Sequence, residues 1–429
     1  MVNVALPAIQ RDLGGGLALQ QWVVDAYLLT LGSLILVGGS LSDLFGAHRI
    51  FLLGIVGFGV MSILCAAAPD GNTLIVARGL QGVTGALLTP AGLAVITATF
   101  QGEERGAAIG TWTSWTGIAF VIGPLVGGWL VSHTSWRWVF IINIPFAVAT
   151  AVLVAAVVPE IPREGPRPRV DVVGAFLCTL GLGGPVFALI EEPKRGWGDA
   201  LILLTLFGGV AVFAAFLAWE RWSAHPMLPL RLFTLRNFSF ANIETLTVYA
   251  GLSTLTFFLV LFLQQLAGYS ALKSGLALVP ITAVLFFLSP RIGRLSMRFG
   301  PRVFMGGGPL VAGIALIFLT RMHERFSYWT ELLPILLVFS IGLSMIVAPL
   351  TATVLADASE RDAGIASGVN NAVARIAGLL GIAVVGAAIA GTDNRLDLSG
   401  YRASMAITAA LLAAGGAIGF AGIRNRRPA

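Results

Sequence analysis

The chain alternates long apolar runs with short polar breaks, and the runs have the length of membrane-crossing helices. A helix that crosses the ~30 Å hydrocarbon layer needs about 20 apolar residues, since each adds ~1.5 Å. Runs of that kind lie at 21–42, 50–69, 73–99, 106–131, 138–158, 172–190, 200–219, 239–263, 275–296, 301–320, 332–354, 364–390 and 403–423. The breaks carry turn chemistry, as in Pro69-Asp70-Gly71-Asn72 and Gly391-Thr392-Asp393-Asn394. Barrel strands would instead alternate apolar and polar residues over about 10 positions. The pattern predicts an all-α integral membrane protein with 13 full spans. The apolar stretch from Met1 to Ile9, ending at Gln10-Arg11-Asp12, is too short to span. It reads as the outer end of a partial first helix whose first half is missing from this sequence.

Composition agrees: 57% of residues are hydrophobic and 11% charged, against about 25% charged in soluble domains. Disorder is excluded on the same grounds. Cys65 and Cys178 sit inside apolar runs and are expected to pack. A pI of 9.9 does not indicate nucleic acid here, because the basic residues fall in short gaps between spans. With the gap at 10–20 placed outside, the inner gaps hold 16 Lys and Arg residues and the outer gaps 9. That bias predicts a cytoplasmic C-terminus in a plasma (inner) membrane. The four histidines, His48, His133, His225 and His323, lie in separate breaks, with no metal or nucleophile spacing around them. No Gly-Lys phosphate loop is present. An enzyme, a metal site and ATP-driven work are therefore not expected, and no cofactor is called for.

The break after 21–42 reads Gly39-Ser40-Leu41-Ser42-Asp43-Leu44-Phe45-Gly46-Ala47-His48-Arg49, and the break after 275–296 reads Gly293-Arg294-Leu295-Ser296-Met297-Arg298-Phe299-Gly300-Pro301-Arg302. Both fit G-x-L-S-x-x-F-G followed by Arg, the internal symmetry of transporters built from repeated halves. On these residues the chain resembles the major facilitator superfamily, and within it the fourteen-helix drug:proton antiporter family. Gly39, Leu41, Asp43, Gly46 and Arg49 match the signature between its second and third helices, with Leu44 and Ala47 in place of usual basic residues. Leu74 to Gly85 resembles the fourth-helix motif with its buried arginine at Arg78. Gly110, Gly123, Pro124, Gly127 and Gly128 resemble the fifth-helix antiporter motif, with Ala119 replacing a glycine. Trp136-Arg137-Trp138, Asn143 and Pro145 also fit this branch, and Val2 to Pro7 is similar to the end of the first-helix motif. The resemblance implies the major facilitator fold: two six-helix bundles with two inserted helices. The implied units are 1–158, the inserted pair 171–222, 237–423, and a basic cytoplasmic tail 424–429.

A charge in the hydrocarbon layer is costly, so it marks a candidate functional site. Asp25 and Arg78 lie about four and five residues below the outer ends of their runs, at matched depth, so an ion pair and a proton site are open to them. Snorkelling of Asp25 to the outer interface is the alternative. Glu244 stands among Asn242, Thr245, Thr247 and Tyr249; helical spacing turns it into the bundle, for proton coupling or for a structural hydrogen bond. For Asp43, with Gly39, Gly46 and Arg49, the resemblance implies conformational gating; a plain helix cap is the alternative. The glycines of the fifth-helix motif serve either a flexible seam for antiport or tight packing. Trp112, Trp115, Phe120, Phe257, Phe258 and Phe262, with Tyr249, are candidates for an aromatic cavity, and ordinary packing competes for all of them. Asn370, Asn371 and Arg375 form a polar cluster in the 364–390 run, for a substrate role or for hydrogen-bonded packing.

These readings converge on a proton-coupled secondary transporter that exports small amphipathic or drug-like compounds by alternating access. Its expected partners are the small-molecule substrate, protons and the lipid bilayer, with no nucleic acid, and it is expected to work as a monomer. The alternatives are a proton-coupled symporter for uptake and, from another class, a non-transporting structural or sensor protein or an inactive fragment.

Overall fold

A computed structural model describes residues 1–100, 102–158, 170–356, 362–389 and 396–425, apart from the side chains of Ala98 and of part of 102–121. Regular structure in these residues is helical throughout. The first elements are α1 (Val2–Leu13), α2 (Gly16–Phe45), α3 (Ala47–Ala67), α4 (Gly71–Thr99), α5 (Gly102–His133), α6 (Trp138–Ile141) and α7 (Asn143–Val157). A hairpin follows, α8 (Val172–Arg195) and α9 (Ala200–Trp222). The last elements are α10 (Arg236–Leu261), α11 (Ala271–Phe299), α12 (Pro301–Leu319), α13 (Leu333–Ala356), α14 (Ala363–Ile389) and α15 (Leu398–Gly422).

Lipid offers backbone groups no hydrogen bonds, so apolar runs of this length close their bonds internally as helices. Among the described residues, 12 helical segments are long and apolar enough to cross a membrane. The 32-residue α5 covers the remaining predicted run, 106–131. Asp70, Asp171, Ser270 and Asp397 cap α4, α8, α11 and α15 by accepting a backbone N–H from the first turn. Exposed Phe146, Val157, Leu204 and Trp222 belong to the apolar outer surface that a bilayer requires.

Two predicted breaks and one predicted run differ from the structure. The gap at 10–20 shrinks to a turn at Gly14 and Gly15, because Gln20, read as a polar break, is buried and bonded to Gln10 across the turn. Asp25 is therefore nine residues into α2, roughly 13 Å from its start, and deeper than the sequence indicates. The run at 138–158 is two helices, α6 and α7; Pro145 has no N–H to give back to the preceding turn. In the connection 220–237, α9 extends to Trp222 and a short 3-10 turn occupies 230–234. Most of the predicted connection 159–171, and residues 426–429 of the basic tail, lie outside the described residues.

The two echoed breaks have one geometry. α2 passes to α3 through Gly46 at φ 94°, and α11 passes to α12 through Gly300 at φ 83°. Both values fall where a side chain is strained, so glycine is required at each turn.

The helix ends form two faces. One carries Gln10 and the α1–α2 turn; the other carries Asp43 and the α2–α3 turn. Helices α1–α7 pack as one group and α10–α15 as another, and the α8–α9 hairpin docks through α8 on α2 and α14. At the Asp43 face, Glu220 accepts the Leu228 N–H (2.9 Å) and Asp171 accepts the Trp219 indole N–H (2.9 Å), tying the hairpin to the linker into α10. The two groups meet along α2–α14 and, at the Gln10 face, through α5–α11 and α1–α10.

Candidate functional site

Arg78 is buried in α4 at the centre of a polar network internal to the first group. Its Nε donates to Val23 O (2.9 Å) and its guanidinium to Gln81 Oε1 (2.5 Å); Gln81 donates on to Ser62 Oγ (2.8 Å), which also accepts from Asn143 (3.3 Å). The guanidinium lies over the Tyr27 ring at 4.3 Å. α2, α3, α4 and α7 are thereby joined through one cation. The ion pair that the sequence left open between Arg78 and Asp25 is not formed. Val23 and Tyr27, four apart, share the α4-facing side of α2, whereas Asp25 lies two residues from each and turns the other way. Arg78→Lys is expected to lower stability by about 1.5–3 kcal/mol, since an ammonium cannot make both bonds and stack; thermal unfolding of the purified protein in detergent measures it.

Asp25 belongs to a different stripe of α2. Gln21, one turn before it, donates to Ile382 O (3.0 Å). Leu28, one turn after, packs at Gly378, and Gly32 packs against Arg375. These neighbours set Asp25 on the seam with α14, where the two groups of helices meet. It is fully buried, and neither carboxylate oxygen has a hydrogen-bond partner.

Glu244 is also fully buried, with both oxygens unpartnered. Phe240, Thr247 and Gly251 on its side of α10 meet Gly422, Gly415 and Leu412 of α15, so Glu244 belongs to the α10–α15 contact. Asn242 and Thr245, one step round the helix, face α14: Asn370 donates to Asn242 Oδ1 (3.1 Å) and to Thr245 Oγ1 (2.8 Å). The polar stripe read from the sequence is thus divided between two neighbours. Asn370 rather than Asn371 makes this bridge. Arg375 lies against Gly32 of α2 at the same seam, within electrostatic reach of Tyr249, and its Nε is buried without a partner.

The glycines of α5 face two ways. Gly123 and Gly127 lie beside Met1, while Gly128 crosses α11 at backbone distance: a Cβ there would fall 2.7 Å from Ala271 O. Gly275 completes the crossing, since its own Cβ would collide with Pro124 O. This contact joins the two groups at the Gln10 face. The Gly110 side of α5 lies outside the described side chains, as does Phe120. Trp112 and Trp115, towards the Asp43 face, are 36% and 64% exposed. Phe257, Phe258 and Phe262 are core residues and line no cavity; Phe262 stacks on Tyr401 at 4.1 Å.

The sequence reading missed a glutamine clasp at the Gln10 face. Gln10 Oε1 accepts from Gln20 (2.9 Å) and from Gln265 (2.8 Å), and Gln264 donates to Val4 O (3.0 Å). A π turn over Phe262–Leu266 at the end of α10 presents both glutamines to α1. A polar cavity of about 1110 Å³ lies beside the clasp, lined in part by Gln10, Arg11 and Tyr269. The adjacent Gln264-Gln265 pair at the close of an apolar run was the available signal. At the other face, Asp43 and Arg49 are exposed and each is engaged by a neighbour. The tight approach of α2 to α4 belongs to Gly38, whose Cβ would collide with Ala86 O, and not to Gly39, one residue round the helix.

Two groups of membrane-crossing helices, each with a buried, unpartnered carboxyl group, meet along α2–α14 and at the Gln10 face, the frame of a polytopic membrane protein. The chain belongs to the Major Facilitator Superfamily, whose model matches residues 1–382 and 245–429. It is 37% identical to the puromycin resistance protein pur8 of Streptomyces alboniger, over 90% of this chain and 77% of that protein. It is 35% identical to a probable actinorhodin transporter of Streptomyces coelicolor, over 90% and 68% of the two chains. With the multidrug resistance protein Stp of Mycobacterium tuberculosis the figures are 33%, 91% and 72%. A bacterial homologue of the lysosomal transporter Spinster has the same fold, with a TM-score of 0.71 at 18% identity over 98% of this chain and 92% of that one. The protein is thus a multi-pass membrane transporter and not an enzyme.

Proposed function

We propose that this chain is a proton-coupled exporter of small amphipathic compounds, of the fourteen-helix drug:proton antiporter branch, acting as a monomer in the plasma membrane. The Lys and Arg bias supports a cytoplasmic C-terminus and, with it, a cytoplasmic Asp43 face. One observation carries the reading: Asp25 is a fully buried carboxyl group with no hydrogen-bond partner, at the seam where the two helical groups meet. An unpaired charge is very costly in such a place, so a proton there biases which arrangement of the two groups is stable. The contact of α5 with α11 and the glutamine clasp close the external face in this state, and export needs both to part. The names of the resistance and export relatives support the outward direction and the drug-like substrate.

The test uses purified protein in sealed liposomes with an internal pH dye, an imposed pH gradient and ethidium as the amphipathic cation. Ethidium movement that drives proton movement in the opposite direction is expected. Ethidium movement unaffected by a protonophore, or co-directional with protons, overturns the proposal.

A further inference from the structure

A second cavity lies away from the carboxyl groups, where the α8–α9 hairpin meets the two helical groups. Its volume is about 520 Å³, and α2, α8, α9, α10 and α14 all contribute to its wall. Its polar side chains are already satisfied: Ser33 donates to Leu29 O and Asn242 to Phe238 O, at 2.7 and 2.8 Å. Nothing in the wall is left to recognise a polar ligand, and an apolar cavity of this kind excludes water. The rim residues Val210 of α9 and Ile243 and Leu246 of α10 are 54%, 44% and 37% exposed, so the cavity opens sideways between these helices. They lie inside membrane-crossing segments, so the opening faces hydrocarbon and not water. Along α14 the lining runs from Val369 to Leu380, roughly 16 Å at 1.5 Å per residue. That is about half the ~30 Å hydrocarbon layer, the depth of one leaflet. The other walls lie on the Asp43 side: Ile243 and Leu246 belong to the first half of α10, and Met227, Leu228 and Phe233 to the linker before it, so the leaflet is the one on that side.

We infer that this cavity is a lipid site, holding one acyl chain of a membrane phospholipid from the Asp43-face leaflet. The chain lies between the hairpin and the body of the transporter and fills a void that protein side chains leave open. The wall of an empty cavity forgoes dispersion attraction, and an occupant of matching length restores it. The bilayer supplies such chains at the opening itself.

The protein is reconstituted into nanodiscs of palmitoyl-oleoyl phosphatidylglycerol and phosphatidylethanolamine, released into mild detergent, and its retained phospholipid counted by native mass spectrometry. Val210→Trp and Leu246→Trp fill the mouth from opposite walls, and Val152→Trp places the same bulk on an exposed position of α7. Wild type and Val152→Trp are expected to retain one phospholipid, with occupancy roughly tenfold lower in either filled variant, corresponding to about 1.4 kcal/mol. Two walls are used so that misfolding of one variant, detected by size-exclusion chromatography, leaves the other to decide. Equal retention in all four proteins overturns the inference. Displacement of the retained lipid by added ethidium also overturns it, because the cavity would then be a drug subsite.

Discussion

Asp25→Asn is expected to abolish the gain that a pH gradient gives to export while leaving the protein folded. One proton exchanged per substrate across a gradient of one pH unit supplies about 1.4 kcal/mol, or a ~10-fold substrate gradient at equilibrium. Asparagine has nearly the volume of aspartate but cannot carry the proton, so this ~10-fold accumulation should fall to about unity, with downhill ethidium exchange retained. The position explains the size of the effect. Gln21 and Gly32 hold the same stripe of α2 against α14, so Asp25 lies at the contact between the two groups. A charge appearing there acts on their arrangement directly. Glu244→Gln in the same liposomes makes the comparison: Glu244 is buried between α10 and α15, within one group. Full coupling in Asp25→Asn, with coupling lost in Glu244→Gln, would move the proton site into the second group and refute the assignment to Asp25.

The spans were legible because hydrocarbon imposes a length and an apolar content that a single sequence displays directly. So was the repeated turn: Gly46 and Gly300 occupy equivalent breaks, and each takes a backbone angle that favours glycine. Side-chain pairing was less legible, for a geometric reason. Depth along a helix can be counted from the sequence, but azimuth depends on which neighbour occupies each side. Matched depth left an ion pair of Asp25 with Arg78 open; the two-residue step from Val23 and Tyr27 turns Asp25 towards α14 instead. Azimuth likewise decides that Gly38 and not its neighbour makes the tight approach to α4, and that Asn370 of the Asn370–Asn371 pair bridges to α10. Partners distant in sequence, such as Gly275 for Gly128 and Gln265 for Gln10, carry no local signal that links them.

Gly128→Leu should shift the transporter towards opening at the Gln10 face. The atoms that a side chain at 128 would meet, Ala271 O at 2.7 Å and Leu272 Cα at 2.8 Å, are backbone, so no rotamer change relieves the clash. Overpacking of this kind costs about 1–3 kcal/mol, and here the cost applies to the state in which α5 and α11 touch. The population ratio of closed to open should therefore fall by roughly 5–150-fold. Ser274 reports on this contact, because it is fully buried on α11 one turn after Ala271 and next to Gly275, the two α11 residues of the crossing. A cysteine placed at 274 should react with a membrane-impermeant maleimide faster in the Gly128→Leu background; the native Cys65 and Cys178 are both buried. Gly123→Ala is the control, since its Cβ would meet Met1 only at an ordinary 3.8 Å. Its labelling rate should match wild type, and its transport should persist while that of Gly128→Leu collapses. An unchanged labelling rate in folded Gly128→Leu would show that the α5–α11 crossing does not hold this face closed.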